Sequence, residues 1–324
     1  MKIVVTGGLG HIGSRLIRAL PAAFPQAEIV IADNLSTQRY PSLFDLPAGA
    51  RYRFVEADVT SAPLEPLLAG ADAVVHLAAL TDAAGSFAIR EKIERENFAA
   101  TERVARACLA AGAAFVLASS TSVYGTQKSR VDEDCSAEEL KPQSPYAETK
   151  LREEALIGEL ARSQGLKAIV FRFGTIFGAS PGMRFHTAVN KFCWQATMGR
   201  PLTVWRTAYD QKRPYLDLGD AVRAVVFVLD RKILDGRVYN AVTANHTVGD
   251  VVEAIRRHVP ALEVEFVDEK IMNQLSYEVD NARLRARGFA FEGSLAQGIA
   301  DTLALLRNAN MGAPSRDANA GAKP

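Results

Sequence analysis

The chain has 324 residues, and its 38 Lys and Arg side chains nearly balance 37 Asp and Glu, for a net charge of +1 at pH 7. This balance excludes a basic excess for nucleic acid or an anionic membrane, and a hydrophobic fraction of 48% suffices for a core in one large domain or two intimately joined ones. The three cysteines, Cys108, Cys135 and Cys193, have neither metal-ligand spacing nor a disulfide pattern. We therefore expect no bound metal ion. Since the sequence shows no signal peptide and no apolar run of membrane length, we also expect a cytoplasmic protein.

The first half alternates short apolar runs with longer amphipathic segments. Strands are predicted at residues 2–6, 28–33, 52–56, 72–77, 114–119 and 167–172, because these runs are short, apolar and β-branched. Helices are predicted between them at residues 11–22, 89–111 and 144–163. Such alternation is typical of an α/β fold with a doubly wound parallel sheet, the Rossmann architecture.

The pattern changes after residue 172, where loops rich in Gly, Pro and Arg separate shorter elements. Helices are predicted at residues 185–198, 219–230, 248–258 and 294–307, and strands at 202–205, 238–240 and 264–267. We expect a first domain at residues 1–175, to which residues of about 213–240 return, and a smaller mixed α/β lobe at 176–310. Residues 311–324 have few large apolar side chains and are predicted to be a disordered tail.

A glycine-rich turn joins the first strand to the first helix. Gly7, Gly10 and Gly13 have the spacing that lets backbone N–H groups approach a pyrophosphate at a helix N-terminus. The next predicted strand ends at Asp33, 20 residues after Gly13, where a carboxylate can accept a hydrogen bond from a ribose 2′-hydroxyl. Because an anion there disfavours a 2′-phosphate, the pattern predicts NAD over NADP.

Tyr146 and Lys150 share one face of a predicted helix, downstream of Ser120 at a predicted strand end. Lowering a tyrosine pKa from about 10 to about 7 needs about 4 kcal/mol. One cation at about 5 Å supplies roughly 3 kcal/mol at an effective dielectric of about 20. Lys150 and a positive nicotinamide ring together therefore suffice, and the Ser120 hydroxyl can hold the reacting oxygen.

With these motifs in order, the chain resembles the extended short-chain dehydrogenases/reductases of the nucleotide-sugar epimerase/dehydratase superfamily, from residue 1 to about 306. The matching elements are Thr6-Gly7-Gly8 with Gly10 and Gly13, Asp33-Asn34, Asp58-Val59, His76-Leu77-Ala78-Ala79, Asn97, Ser119-Ser120 with Ser122-Val123-Tyr124-Gly125, Ser144-Pro145-Tyr146 with Lys150, and Arg172 through Gly178.

The resemblance implies a role for each matching residue. Ser120, Tyr146 and Lys150 would be catalytic, with Tyr146 as the base. The implied NAD-binding residues are Gly7, Gly10, His11, Ile12, Gly13, Asp33, Asn34, Asp58, Val59, Leu77, Ala78, Ala79, Asn97, Ser119, Tyr146 and Lys150. The implied contacts to a nucleotide-diphosphate sugar are Ser122, Thr175, Arg184, Asn190, Arg206 and Arg213, with surface solvation as the alternative for the three arginines.

The residues before Val123 bear on the reaction. The related dehydratases have an Asp-Glu pair there, decarboxylases a Glu and epimerising reductases a Cys, whereas this chain has Thr121 and Ser122. This resembles the 4-epimerases, which oxidise the sugar transiently to a 4-ketone. Thr175 replaces the family's usual Asn, and His186 is either an extra acid/base group or an ordinary helix-start residue.

Other readings stay open at this point. A nucleotide-sugar dehydrogenase, reductase or dehydratase is the alternative enzyme, and a non-catalytic NAD-binding protein is disfavoured because Tyr146 and Lys150 are both present. By analogy, the helices predicted at residues 89–111 and 144–163 would form a homodimer interface.

Overall fold

The computed structural model describes residues 1–81, 90–125, 128–268 and 276–307. Its strands are β1 (Lys2–Thr6), β2 (Glu28–Asp33), β3 (Arg51–Glu56), β4 (Ala73–His76), β5 (Ala114–Ser120), β6 (Arg130–Val131), β7 (Ala168–Phe173), β8 (Thr175–Phe177), β9 (Leu202–Trp205), β10 (Lys212–Asp217), β11 (Asp235–Ala241), β12 (Ala244–Thr247), β13 (Val264–Val267) and β14 (Glu278–Val279). Its helices are α1 (His11–Ala23), α2 (Glu65–Leu68), α3 (Arg90–Ala111), α4 (Pro145–Gln164), α5 (Ala188–Thr197), α6 (Leu218–Asp230), α7 (Val248–Arg256), α8 (Ala282–Ala286) and α9 (Leu295–Leu306).

The large sheet is parallel throughout and has seven strands in the order β11-β7-β5-β4-β1-β2-β3. Side chains alternate across it: Ile3 and Val5 pack with α1 and α6 on one face, and Val4 packs with α3 and α4 on the other. Both faces are therefore covered, which is why these strands read as continuous apolar runs. The predicted α/β fold with a doubly wound parallel sheet is confirmed.

A third core, separate from the two on the faces of the large sheet, lies between α5, α7, α9 and β9 and is built around Phe192, Leu202, Val251 and Ile299. Three small sheets accompany it: β12-β10-β8, β13-β9 and β14-β6. The β11 strand and α6 belong to the large sheet and its first core, so part of the later chain returns there. The domain division at residue 175 itself stays a prediction.

Several sequence predictions need correction. The helix predicted at 185–198 begins only at Ala188, because Phe185 and His186 precede an extended N-cap residue, Thr187, at φ −92° and ψ 147°. Strands β8, β10 and β12 were not predicted, since Lys212, Arg213 and a proline interrupt any apolar run in β10. Residue 89 and the predicted tail at 311–324 lie outside the described residues. Within those residues, no helix is both long and apolar enough to cross a membrane.

Candidate active site

The glycine turn between β1 and α1 requires glycine for steric reasons. Gly7 has a φ of 65°, and a Cβ added to it would lie 2.6 Å from the backbone nitrogen of Ala78. A Cβ on Gly13 would lie 2.6 Å from the carbonyl oxygen of Gly7. Gly10 is the N-cap of α1 and has no side chain to satisfy the helix N-terminus. The turn thus leaves backbone donors for an anion, as a dinucleotide pyrophosphate requires.

A segment from the second half of the chain, residues 180–184, crosses directly over this turn and is called the crossing segment below. The Gly182 N–H donates to Ser14 Oγ at 3.0 Å, and the Ser180 hydroxyl donates to the His11 carbonyl at 2.8 Å. A Cβ on Gly182 would lie 2.2 Å from the carbonyl oxygen of Leu9. The close approach brings the residues that follow, Arg184 among them, to the same groove.

The groove is a cavity of about 340 Å³ along the carboxyl ends of the strands. Its lining includes most of the predicted cofactor residues, namely Gly7, Gly10, His11, Ile12, Gly13, Asp33, Asn34, Asp58, Val59, Leu77, Ala78, Ala79 and Asn97. Arg39, Thr81, Arg184 and His186 also line it. The glycine turn and the acidic residues in its lining fit a dinucleotide, the ligand that doubly wound sheets bind at the carboxyl ends of their strands.

Asp33 is oriented at one end of this cavity. Its carboxylate accepts from the N–H groups of Leu9, at 3.1 Å, and Leu35, at 3.0 Å. Nearby, Asn34 donates to Asp58 at 3.2 Å, and hydrogen bonds from Thr60 lower the Asp58 pKa. Both carboxyl groups are therefore fixed as hydrogen-bond acceptors.

Arg39 was missed by the sequence reasoning. Burial lowers its pKa, and the charge of Asp33 acts in the opposite direction, so the two side chains are electrostatic neighbours. Arg39 lies in a loop without apolar periodicity, and only its distance in sequence from Asp33, six residues, hinted at a shared site.

His11 has its imidazole buried beneath the cavity. Its Nδ1 lies 3.2 Å from Ser180 Oγ. Burial, together with the charges of Arg184, Arg39 and His186, lowers the His11 pKa to about 3. The ring is therefore neutral at physiological pH.

Asn97, a buried residue of α3, holds the backbone at one side of the cavity. The Asn97 amide accepts from Leu80 N–H at 2.8 Å and donates to the Leu80 carbonyl at 2.9 Å. It braces the backbone that follows Leu77, Ala78 and Ala79, as a supporting residue should.

The Ser120, Tyr146 and Lys150 trio comes from β5 and α4. Ser144 caps α4, its Oγ accepting from Ala147 N–H at 3.2 Å, and this fixes the first turn that carries Tyr146. Lys150 Nζ lies 5.9 Å from the centre of the Tyr146 ring. Tyr146 and Ser120 are only half-buried, so a substrate can reach both.

Ser122 is held against Ser120. The Ser120 Oγ accepts from the Ser122 N–H at 3.1 Å, and the two hydroxyl groups lie 2.9 Å apart. The turn Thr121–Val123, which carries Ser122, packs against α4. A hydroxyl group thus occupies position 122, where the resemblance implies a carboxylate or thiol in dehydratases, decarboxylases and epimerising reductases.

Behind the trio lies a buried charge network that sequence reasoning missed. Lys150 Nζ donates to Glu153 Oε2 at 2.8 Å, with the two side chains 3% and 0% exposed. Arg172 donates to Glu154 from two nitrogens at 2.7 and 3.1 Å, and the Ser119 hydroxyl also donates to Glu154. The single donor of the Ser119 hydroxyl is therefore used within this network.

Among the predicted substrate residues, Asn190 and Arg184 lie close together. The buried Asn190 amide accepts from Gly178 N–H at 3.2 Å and donates to the Arg184 carbonyl at 3.1 Å. Arg184 donates to Thr81 Oγ1 across the cofactor cavity. Asn190 thus braces the crossing segment, and a direct substrate contact stays a prediction.

The other three predicted substrate residues lie on two of the small sheets: Thr175 and Arg213 in the β12-β10-β8 sheet, and Arg206 directly after β9 of the β13-β9 sheet. Thr175 in β8 pairs with Tyr215 in β10, and Arg213 of the same strand donates to Gln211 at 2.6 Å. Burial lowers the pKa of Arg213. An anionic partner would stabilise the charged form of an arginine in such an environment. Arg206 pairs with Asp268 at 3.1 Å, an exposed ion pair.

A second cavity of about 600 Å³ is lined by Phe185, His186, Lys191, Trp194 and Gln195. His186 lines both cavities, which the sequence did not predict. Within the described residues, no cluster of His, Cys, Asp or Glu could hold a metal ion.

Comparisons with known proteins agree with this geometry. The model of the NAD dependent epimerase/dehydratase family matches residues 3–241. The chain is 32% identical over 248 residues to an uncharacterized UDP-glucose epimerase of Bacillus subtilis (strain 168), a match that covers 74% of this chain and 76% of that protein.

Two further similarities extend over almost the whole chain. It is 28% identical to a trifunctional UDP-glucose 4,6-dehydratase/UDP-4-keto-6-deoxy-D-glucose 3,5-epimerase/UDP-4-keto-L-rhamnose-reductase of Arabidopsis thaliana; the match covers 93% of this chain, which spans only 46% of the plant protein. Among solved structures, MoeE5 in complex with UDP-glucuronic acid and NAD is 28% identical, with a TM-score of 0.81 and coverage of 95% of this chain and 100% of that one.

Proposed function

Because the chain belongs to the NAD-dependent epimerase/dehydratase family, we propose that it is a nucleotide-sugar 4-epimerase. The family membership confirms the resemblance drawn from the motifs, makes the chain an enzyme of this family and makes NAD its cofactor. The observation that carries the finer proposal is the paired hydroxyl groups of Ser120 and Ser122 beside the half-buried Tyr146.

The residues present fit NAD. The glycine turn takes the pyrophosphate, Asp33 accepts from the adenine ribose, and Asp58 and Val59 flank the adenine end of the cavity. Lys150 is the donor for the other ribose. When bound, NAD supplies an acceptor for the hydride of a sugar carbon and returns that hydride later.

The protein residues transfer a single proton, that of the sugar 4-hydroxyl. Tyr146 removes the proton of the sugar 4-hydroxyl, and the adjacent Lys150 ammonium stabilises the phenolate that this role requires. Ser120 donates a hydrogen bond to the same sugar oxygen, with Ser122 holding its hydroxyl in place. The 4-keto sugar then rotates in the site so that its other face is presented. Tyr146 returns the proton, so the tyrosine ends the cycle in the state in which it began.

The substrate is proposed to be a nucleotide-diphosphate sugar. Half-buried Arg213 in β10 and Arg184 on the crossing segment are the cations proposed to bind the diphosphate, and Asn190 braces the backbone at Arg184. Ser122, Thr175 and Arg206 complete the proposed substrate set. His186 remains a candidate additional acid/base group because it lines both cavities.

Elimination of water, as in a 4,6-dehydratase, is the alternative that a relative favours, since the plant protein carries that activity in its name. Elimination needs an acid/base group beyond Tyr146. Thr121 and Ser122 provide hydroxyl groups where the related dehydratases carry Asp and Glu, and this favours epimerisation. Net oxidation or reduction by the same trio is the other alternative.

The test is to denature the purified protein, identify the released nicotinamide cofactor, and incubate the native enzyme with UDP-, GDP-, dTDP- and CDP-sugars. We expect bound NAD and formation of a sugar isomer without added cofactor. Stoichiometric NADH from an added sugar would overturn epimerisation in favour of a dehydrogenase. NAD binding with no turnover of any sugar, unaffected by Tyr146→Phe, would favour a non-catalytic protein.

We also propose that the enzyme acts as a cytoplasmic homodimer through α3 and α4. These helices pack along each other, with Arg152 stacked on Phe98 at 4.6 Å and Arg90 paired with Glu148 at 2.8 Å. The three cysteines are free thiols, as expected in a reducing compartment.

A further inference from the structure

The ion pair between Lys150 and Glu153 is unusual in its burial. Both side chains are almost fully removed from solvent, and the Nζ to Oε2 distance is 2.8 Å. Helix pairs at i and i+3 are normally exposed and contribute little to stability. A buried pair costs desolvation that a pair of apolar side chains would avoid, so stability alone does not account for it.

Geometry connects the carboxylate to the proposed base. Lys150 Nζ is 2.8 Å from Glu153 Oε2 and 5.9 Å from the Tyr146 ring centre, so this oxygen lies within about 9 Å of the ring. An ammonium group has three donors, and the bond to Glu153 takes one of them. Two donors remain for Tyr146 and for a ribose hydroxyl.

The other charged groups around Lys150 are already neutral or paired. Glu154 is neutralised by Arg172 through the hydrogen bonds described above. His76, on β4, has its pKa lowered to about 3 by burial and by Lys150, so it carries no charge in the working range. Glu153 is the carboxyl group in direct contact with the Lys150 ammonium. Burial raises the pKa of Glu153, and the charge of Lys150 acts in the opposite direction.

Electrostatics agree with this arrangement. Burial alone lowers the pKa of Lys150, but Glu153 and Tyr146 hold it above its ordinary value overall. A carboxylate charge favours the protonated form of a neighbouring ionisable group. Removal of the Glu153 charge is therefore expected to favour proton release from this site at lower pH.

We propose that Glu153 is a positioning residue for Lys150: its carboxylate anchors the ammonium beside Tyr146 and sets the pH at which the pair becomes active. This inference rests on the roles proposed above for Tyr146 and Lys150. It adds a residue that touches neither substrate nor cofactor and acts through the lysine.

The decisive variant is Glu153→Gln, which keeps the size and the acceptor oxygen but removes the charge. The acidic limb of the kcat/KM profile should move to lower pH by about one unit, the size expected for one charge within about 9 Å at an effective dielectric of about 20. The ultraviolet titration of tyrosinate, taken as the difference from Tyr146→Phe in the same background with NAD bound, should move in the same direction.

Two variants serve as references. Glu159→Gln removes an exposed carboxylate from the same helix and should leave both titrations unchanged. Glu153→Asp keeps the charge but withdraws it by one methylene. It should leave the limb within about 0.3 unit of the parent's and weaken NAD binding about 3- to 10-fold, since Lys150 is displaced.

The outcomes separate this inference from the proposed function. A folded Glu153→Gln protein whose limb and tyrosinate titration match the parent's would overturn the role of Glu153. If that variant does not fold, Glu153→Asp decides, and parent-like NAD affinity would overturn it. If the parent turns over no nucleotide sugar, the proposed function fails, yet the tyrosinate titration still tests Glu153.

Discussion

Tyr146 and Lys150 lie on one turn of α4, but the proposed chemistry gives them separate tasks. Tyr146 moves the proton, while Lys150 holds a charge and a ribose. The phenol hydroxyl is therefore needed for turnover but not for keeping the cofactor in place.

Replacement of Tyr146 by Phe should lower kcat roughly 10²- to 10⁴-fold, the usual contribution of a general acid/base group, with bound NAD retained. Turnover and cofactor content of the purified variant check this. Tyr52→Phe is the matched control and should leave kcat unchanged. It removes a hydroxyl group that makes a long hydrogen bond, 3.4 Å, to the Ile17 carbonyl. Near-parental turnover by the Tyr146 variant would contradict the role of the tyrosine.

Cofactor choice is expected to depend on Asp33 and its neighbour Arg39. Asp33→Ala should reduce the preference for NAD over NADP by about tenfold or more, because the repelling carboxylate is lost and Arg39 is released for a 2′-phosphate. Kd values for both cofactors measure it.

The double variant Asp33→Ala/Arg39→Ala provides the control. It should lose the gain in NADP affinity, since the cation is gone. NADP binding that is equally strong in the single and double variants would exclude Arg39 from this role.

Individual residues also show where sequence reasoning stops. The glycine turn, Asp33 and the Tyr146–Lys150 spacing were readable because each is a local pattern with a steric or electrostatic reason. Glu153 was not, because an acidic residue three positions after a lysine usually marks a solvated helix face. Only the packing of α3 and α4 shows that this pair is buried.

At the scale of elements, α4 was predicted to within one residue because the sequence contains the residue types that begin and end a helix. Ser144 and Pro145 are typical N-cap and N1 residues, and Gly165 ends the helix in the left-handed region at φ 75°. Strands β8, β10 and β12 were missed because their pairing is non-local and their faces mix charged and apolar residues. Their sheet carries Thr175 and Arg213, so the substrate side was the less predictable half of the site.

The N-cap of α4 offers a test at this scale. Ser144→Ala removes the side chain that accepts from Ala147 N–H and should destabilise the protein by about 1 kcal/mol. It should also lower kcat, because the loosened turn carries Tyr146. Chemical denaturation and steady-state kinetics measure the two effects.

Ser294→Ala is the matched control, since Ser294 caps α9 by the same 3.2 Å bond, to Gln297 N–H. It should cost similar stability while leaving kcat at the parental value. Equal effects of the two variants on kcat would mean that global stability, rather than the position of Tyr146, limits the rate.

For the whole molecule, two cores on opposite faces of one sheet meet a third core beneath the substrate side. The segment through Gly182 joins the third core to the glycine turn, and the two cavities share His186 as a lining residue.

The proposed homodimer is a prediction about the whole molecule. The solution mass should be twice the 35.0 kDa of the chain, and Ala155→Arg, on the exposed face of α4, should shift it towards the monomer. Light scattering coupled to size exclusion measures both. Ala304→Arg, on the exposed face of α9, is the control and should leave the dimer intact. A parent of monomeric mass would contradict the dimer.

In the proposed epimerisation, the hydride at the sugar C4 leaves and returns within one active-site cycle. This is tested by following deuterium at C4 of the nucleotide sugar that the enzyme accepts, by mass spectrometry and NMR of the product. We expect a product of unchanged mass, with the label retained at C4 of the epimer and no uptake of solvent hydrogen at that carbon. Deuterium recovered at C6 in a product lighter by one water, or in free NADH, would contradict it.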